Sequence, residues 1–471
     1  MPSKAGHDFK GKYLRQLPGV GKLMEHPDLA RLSETCPRVL LVEAINEVVD
    51  AHKRRILGAE SEEQIKDMDI SFQHFVEEAC ALAAENARMS LRRAINATGD
   101  VLSRSLGSAP LNEAAQKALR DVAGGYSTLA VDADRDSHVR DLLPVLTGAK
   151  DGLVLNNNSG AVLLVLNTIA CGKEVIVSRG QLIESDGFRL PDVIEKSGAN
   201  IVSVGATNKT RLSDYHNAVG ENTGAILRVH KSNYRIAGFS QEVPIQELAE
   251  LGKEHNIPVV DDIGGGCLVD LTQRGLPEEP PAFLSIRNGA DIVCFSGNKL
   301  LSGPQAGIVI GDTKYISMMR ENPLYRILRT GKLVMAALEA TLRSYLDTDK
   351  IMEANPALRF LSRSPQEMEN LLHPLVDLLM ERLSGMAIIE IENGYSNIEF
   401  VSAAPEKFPT KLMSVKPTEV SAYTLLKRLQ SRTVPVFANI QGDCLLLDFR
   451  TVIQNEVDEI AVALVECCQP Q

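Results

Sequence analysis

The chain has 471 residues, enough for one large domain with one or two smaller ones. Its composition, 44% apolar and 24% charged, is that of a soluble globular protein, and no apolar run reaches membrane-spanning length. A net charge of −11 argues against broad electrostatic attraction to nucleic acid, DNA included, so any such partner must use a local patch. The eight cysteines are scattered without paired metal spacing, and the sequence opens with polar residues. A cytoplasmic location with free thiols is the expectation.

Residues 1–88 read as a helical N-terminal domain. Val39, Leu40, Val42, Ile45, Val48 and Val49 recur at helical spacing, and Phe72, Phe75, Val76, Ala79 and Leu82 do so again. Residues 1–55 carry ten Lys or Arg against seven Asp or Glu. Lys53-Arg54-Arg55 reads equally as a nucleic-acid patch or a solvated helix end.

Residues 89–340 alternate apolar strands with amphipathic helices. The strands fall at 153–155, 174–178, 201–204, 225–229, 258–262, 292–295 and 307–310. This α/β pattern predicts a mostly parallel sheet with helices on both faces, and ligands bind at the carboxyl ends of such strands. Residues 341–471 read as a linking helical stretch, 341–385, and a small C-terminal α/β domain. In that domain strands are expected at 387–391 and 398–401, and a helix at 420–432. A hairpin is expected where 434–439 and 444–448 flank Gln441-Gly-Asp, and a last helix at 456–465.

Three strand ends carry chemistry. Asp291-Ile-Val-Cys-Phe-Ser-Gly-Asn-Lys-Leu300 runs a buried strand through Ser296 into Lys299. A lysine held there among small residues is placed for Schiff-base chemistry with a carbonyl cofactor such as pyridoxal 5'-phosphate; the ordinary alternative is a solvated strand-end lysine. Ile257-Pro-Val-Val-Asp-Asp-Ile-Gly-Gly-Gly-Cys267 ends a second strand in acids. Asp262 is the choice for holding a proton on the cofactor's ring nitrogen, and Asp261, which points to the opposite face, is the competitor. Leu153-Val-Leu-Asn-Asn-Asn-Ser-Gly160 runs a third strand into a helix start, where Asn158, Ser159 and Gly160 form a candidate phosphate cradle. His230 ends a further strand, where it could stack on a cofactor ring or relay protons; the ordinary alternative is a hydrogen-bonded filler at a strand end. Arg326 and Arg329, three apart, would share a helix face and could fork onto an oxyanion.

The combined pieces resemble the bacterial selenocysteine synthase (L-seryl-tRNA(Sec) selenium transferase) family of fold-type-I pyridoxal-phosphate enzymes. Leu14-Arg-Gln-Leu-Pro18, Ile95-Asn-Ala-Thr-Gly99, Gly125-Tyr-Ser127, Asn156-Asn-Asn158 and Val175-Ile-Val-Ser-Arg-Gly180 carry the resemblance. So do Val229-His-Lys-Ser-Asn-Tyr-Arg-Ile236, Ser296-Gly-Asn-Lys-Leu300, Gly303-Pro-Gln-Ala-Gly307, Pro323-Leu-Tyr-Arg-Ile-Leu-Arg329 and Ala336-Ala-Leu-Glu-Ala340.

The resemblance implies a cytoplasmic homo-oligomer that converts L-seryl-tRNA(Sec) to selenocysteinyl-tRNA(Sec) with selenophosphate, through an aminoacrylyl intermediate. It implies Lys299 as cofactor anchor and α-proton base and a tRNA-engaging N-terminal domain. Ser296 and His230 would stand with Asn158, Ser159, Gly160 and Asp262 around the cofactor, and Arg326 and Arg329 at the donor's phosphate. Arg235 would contact the cofactor or a neighbouring subunit. Three positions depart from the family pattern: Ser108 stands where an arginine is usual, the 129–138 segment is shorter and more acidic, and Asn298 replaces an aspartate before the lysine. These departures motivate two alternatives, a lyase or β-replacement enzyme acting on a small amino acid or amino sugar acid without tRNA, and a non-catalytic oligomeric or RNA-binding relative.

Overall fold

A computed structural model describes residues 8–131, 135–185, 188–231, 234, 236, 238–396 and 408–469. The chain divides into two compact units, Met1–Arg93 and Ala94–Gln471. No helix among the described residues is long and apolar enough to cross a membrane.

The first unit is helical. Its centre is α1 (Arg38–Gly58) against α2 (Phe72–Asn86). Leu41, Ala44, Ile45 and Val48 pack with Phe75, Val76, Ala79 and Ala83. The expected apolar stripe is shifted: Val39, in the first turn, is 61% exposed, and Leu41 and Ala44 take the core positions. Ser71 caps α2 by accepting the His74 N–H. The two helices are also tied by a shared carboxylate. Glu78 Oε2 lies 2.6 Å from the buried His52 Nε2, and Glu78 Oε1 lies 3.2 Å from His74 Nε2.

The second unit is built on a seven-stranded sheet. Its strands are β1 (Asp151–Leu155), β2 (Glu174–Ser178), β3 (Asn200–Val204), β4 (Thr223–Val229), β5 (Val259–Gly264), β6 (Ile292–Ser296) and β7 (Gly307–Gly311). All of the strands expected between residues 153 and 310 are present. The spatial order is β1-β7-β6-β5-β4-β2-β3. Only β7 is antiparallel, pairing with β1 and β6. Side chains alternate between two cores: Val154, Val293, Phe295, Ile308 and Ile310 enter one, and Leu153, Leu155, Ile292, Cys294 and Val309 the other. Burial on both faces is why these strands read as continuous apolar runs.

The 341–385 stretch is several helices, not one. Pro356 and Pro365 each open a new helix, Pro356–Ser362 and Pro365–Arg382, where a missing N–H costs nothing. Ser364 and Glu367 close a capping box on the second. The C-terminal part has a four-stranded antiparallel sheet of Ala387–Ser396, Phe408–Pro417, Cys444–Asp448 and Asn439–Gln441. The hairpin expected around Gln441-Gly-Asp is there, joining Asn439–Gln441 to Cys444–Asp448, while Val436–Phe437 instead pairs in parallel with Ile95–Asn96. The strand expected at 398–401 lies outside the described residues. Arg450, 1% exposed, binds the Phe360, Leu361, Arg363 and Pro409 carbonyls and Ser396 Oγ. That arginine fastens the C-terminal sheet to the helix before it.

Candidate active site

The carboxyl ends of β1, β4, β5 and β6 lie together at one edge of the sheet. Pairing aligns Val229 with Asp262 and Asp262 with Cys294, and Gly307 pairs with both Leu155 and Ser296. The residues following these ends, Asn156–Asn158, His230, Gly265–Gly266 and Gly297–Lys299, therefore surround one space.

Asp261 and Asp262 separate as adjacent strand residues must. Asp261, fully buried, accepts two hydrogen bonds from Arg228 Nη1, at 2.9 and 3.2 Å. Asp262, 4% exposed, accepts from Asn158 Nδ2 at 2.8 Å and from the Gly264 N–H at 3.1 Å. Burial raises the Asp262 carboxyl above its ordinary value; the Asn158 hydrogen bond and then the Lys299 charge act the other way.

Asn158 thus joins two of the motifs. It is the first residue of the helix Asn158–Ala170, which Asn157 caps by accepting the Gly160 N–H at 2.7 Å. Of the expected cradle, the Gly160 N–H is spoken for by that cap. The Asn158 and Ser159 N–H groups are the ones the Asn157 side chain does not take. Gly307 lets β7 pass this turn: a Cβ there would meet the Asn157 carbonyl oxygen at 2.1 Å.

Lys299 is half-buried in a loop held on every side. Gly297 donates to the Ala306 carbonyl, Leu300 to the Gly265 carbonyl, and Ser302 to the Lys299 carbonyl. Tyr345 and Asn355 hold the Leu300 and Leu301 carbonyls. From the other side, Ala109 N–H reaches the Asn298 carbonyl and Ser302 Oγ donates to the Pro110 carbonyl. Burial lowers the Lys299 amine from its ordinary value; Asp262 and Glu279 oppose this, and Arg104 adds to it. Ser296, 7% exposed, closes β6, and its carbonyl is passed so closely by Gly266 that a Cβ there would lie 2.1 Å away.

His230 follows β4 and donates its backbone N–H to the Asp262 carbonyl at 2.8 Å. Its ring Nε2 lies 3.3 Å from Glu279 Oε2. Arg326 and Arg329 do not share a helix face. The helix Pro323–Leu328 ends before Arg329, which is extended and bridges Leu155 at the end of β1. Arg329 is therefore beside the cradle, and Arg326 stands exposed on the helix. Arg235 lies outside the described residues, as do three residues of the acidic 129–138 segment. Sequence reading passed over Arg104, Arg228, Glu279, Tyr345 and Asn355. Only Asn355 carried a signal, standing before Pro356 as a helix cap.

This topology with a lysine, an acid and a helix start at one sheet edge defines the fold-type-I pyridoxal-phosphate enzymes. The solved structure of D-glucosaminate-6-phosphate ammonia-lyase shares the fold, with a TM-score of 0.56 at 18% identity over 80% of this chain and 96% of that one. Residues 94–453 match the L-seryl-tRNA selenium transferase family, and residues 14–52 match the selenocysteine synthase N-terminal family. The L-seryl-tRNA(Sec) selenium transferase of Alkaliphilus oremlandii is 40% identical over 98% of this chain and 100% of its own length. That of Solidesulfovibrio magneticus is 42% identical over 92% of this chain and 94% of its own. The chain belongs to the L-seryl-tRNA selenium transferase family.

Proposed function

We propose that the protein converts L-seryl-tRNA(Sec) to L-selenocysteinyl-tRNA(Sec) with selenophosphate as selenium donor, using pyridoxal 5'-phosphate anchored on Lys299. The observation that carries this reading is the convergence of Lys299, Asp262 and Asn158 at one sheet edge, in a chain that matches the family over residues 94–453.

The residues present fit the cofactor. Asn158 Oδ1 is buried and has no hydrogen-bond partner among the described residues, and the glycine at 307 keeps the helix start clear. The Asn158 and Ser159 N–H groups, with Ser296 nearby, would hold the phosphate at the positive end of the helix dipole. Asp262, steadied by Asn158, would hold a proton on the ring nitrogen. His230 would cover the ring.

When bound, the cofactor supplies an electron sink for charge released at the substrate's α-carbon. The chain's own residues do the rest. Burial makes the neutral form of the Lys299 amine accessible nearer neutral pH, as a nucleophile and then as acceptor of the α-proton at Nζ. A cationic N–H before Asp262 would draw that carboxyl back to its ionised form. Arg329 beside the cradle and Arg326 on the neighbouring turn are the cations offered to the donor's phosphate, with Arg235 as a further substrate contact.

A cytoplasmic homo-oligomer goes with this reading; the large apolar side chains of Tyr126, Phe239 and Ile327, 73–106% exposed in the single chain, support assembly. The deciding experiment is selenophosphate-dependent turnover of seryl-tRNA(Sec) by the purified protein. A visible cofactor band without such turnover would sink the selenium-transferase reading and favour a tRNA-independent lyase.

A further inference from the structure

Glu279 belongs to none of the sequence motifs, yet the residue is 2% exposed and lies in the active site. It sits in Glu278-Glu279-Pro280-Pro281, between the short turn Thr272–Arg274 and the helix Ala282–Arg287. A residue before proline is held extended, and the next one has its φ fixed. Pro281 bridges Cys267, and the Ala282 N–H donates to the Cys267 carbonyl at 2.9 Å. The segment is thereby folded back over the glycine turn that follows β5. A Cβ at Gly265 would lie 3.5 Å from Glu279 Oε2, so the carboxylate rests directly on that turn. Gly265 in turn accepts the Leu300 N–H at 3.1 Å, next to Lys299. On its other side Glu279 Oε2 lies 3.3 Å from His230 Nε2, within ion-pair range but not aligned as a hydrogen bond.

A carboxylate buried to this degree costs several kcal/mol unless charged or donor groups surround it. The charge of Lys299 is such a group, and the polar His230 ring stands beside the carboxylate.

We propose that Glu279 is a positioning residue of this active site, orienting the His230 imidazole and setting a negative charge opposite the Lys299 amine. The inference rests on the functional reading above, since it assigns Lys299 as the cofactor anchor. The lysine then sees three charged neighbours of opposing sign: Asp262 and Glu279 favour its cation, and Arg104 disfavours it. Holding the imidazole still is worth rate, because a misplacement of about 1 Å at a reacting centre costs on the order of a hundredfold.

The test uses the full-length holoenzyme and three variants. Glu279→Gln keeps the shape and removes the charge. Glu279→Asp keeps the charge and shortens the reach. Glu278→Gln is the control, because Glu278 is exposed. The first readout is the pH titration of the visible band of the lysine-bound cofactor. Its midpoint should move to lower pH in Glu279→Gln, hold in Glu279→Asp, and hold in Glu278→Gln. The second is steady-state kinetics: kcat is expected to fall about ten- to a hundredfold in Glu279→Gln and Glu279→Asp, with little change in KM for seryl-tRNA. A Glu279→Gln protein with wild-type midpoint and kcat overturns the proposal. If that variant does not fold, an unchanged kcat in Glu279→Asp overturns it. A wild-type protein that forms the band but does not turn over seryl-tRNA removes the substrate assignment and leaves the midpoint test standing. A wild-type protein with no band removes both.

Discussion

Lys299 and Asp262 pull on each other. Asp262 favours the lysine cation, while burial and Arg104 favour the neutral amine. Lys299→Ala is expected to abolish the visible cofactor band and all turnover while leaving the thermal midpoint near wild type; borohydride trapping followed by peptide mapping must label Lys299 and no other lysine. Asp262→Asn removes a negative charge that raises the lysine's pKa, so in the cofactor-free protein the reaction of Lys299 with an amine-specific acylating reagent is expected to titrate at lower pH than in wild type. The same variant should still take up cofactor but lose about a hundredfold or more in turnover, because an amide cannot hold the ring-nitrogen proton as a carboxylate does. Near-normal turnover would take the role away from Asp262. At this scale, what the sequence disclosed was residue type at a strand end, since buried strands are easy to see and the residue just past one is exposed to ligand. It disclosed less where the role depends on a neighbour far along the chain. Asn158 could be seen as a helix start but not as the partner of Asp262, 104 residues later. Glu279, in a proline-rich loop, had no pattern to mark it.

Helix starts and strand crossings set the positions of those groups. Gly307 is one of the tight crossings, where β7 passes the Asn157 carbonyl. Gly307→Ala is expected to cost about 1–3 kcal/mol through overpacking against backbone that cannot rotate away. Because it displaces the cradle, it should also weaken cofactor binding, read by titration of the visible band beside a thermal melt; unchanged affinity would detach the helix start from the cofactor's phosphate. Arg450→Met tests the clamp. It leaves Asp448, 1% exposed, without one of its two cationic neighbours, Arg363 remaining, and takes the side-chain donors from several carbonyls, so a loss of about 3–5 kcal/mol in denaturant unfolding is expected. Legibility at this scale followed burial. The seven central strands, apolar on both faces, were found where they are. Phe408–Pro417 was not, because Pro409, Lys411, Lys416 and Pro417 give it the look of a loop. The Arg326–Arg329 face failed for a related reason: the helical spacing was right, but the chain leaves the helix at Leu328 to bridge β1.

For the whole molecule the division at Arg93 is the feature with consequences. Among the described residues, the two cores of Met1–Arg93 are assembled only from that unit's own side chains, and the sheet, the lysine and the acids all belong to Ala94–Gln471. A chain of residues 94–471 is therefore expected to bind cofactor with a visible band like that of the intact protein. Residues 1–93 alone should show cooperative helical unfolding by circular dichroism. If the first unit engages tRNA, the shortened protein should lose affinity for seryl-tRNA(Sec) while keeping the band. The net charge of −11 gives the chain no general attraction to RNA, so the loss should trace to a small patch. Lys53, Arg54 and Arg55 are exposed in the last turns of α1, next to the buried His52 and Ile56 that fix the helix's orientation. Replacing all three with Ala is expected to weaken tRNA binding about tenfold or more and to flatten its salt dependence by about one unit of log–log slope per phosphate contact removed. Equal affinity and equal slope in the triple variant, measured across a salt series, would show that these three residues are a solvated helix end and move the RNA-binding role to another surface.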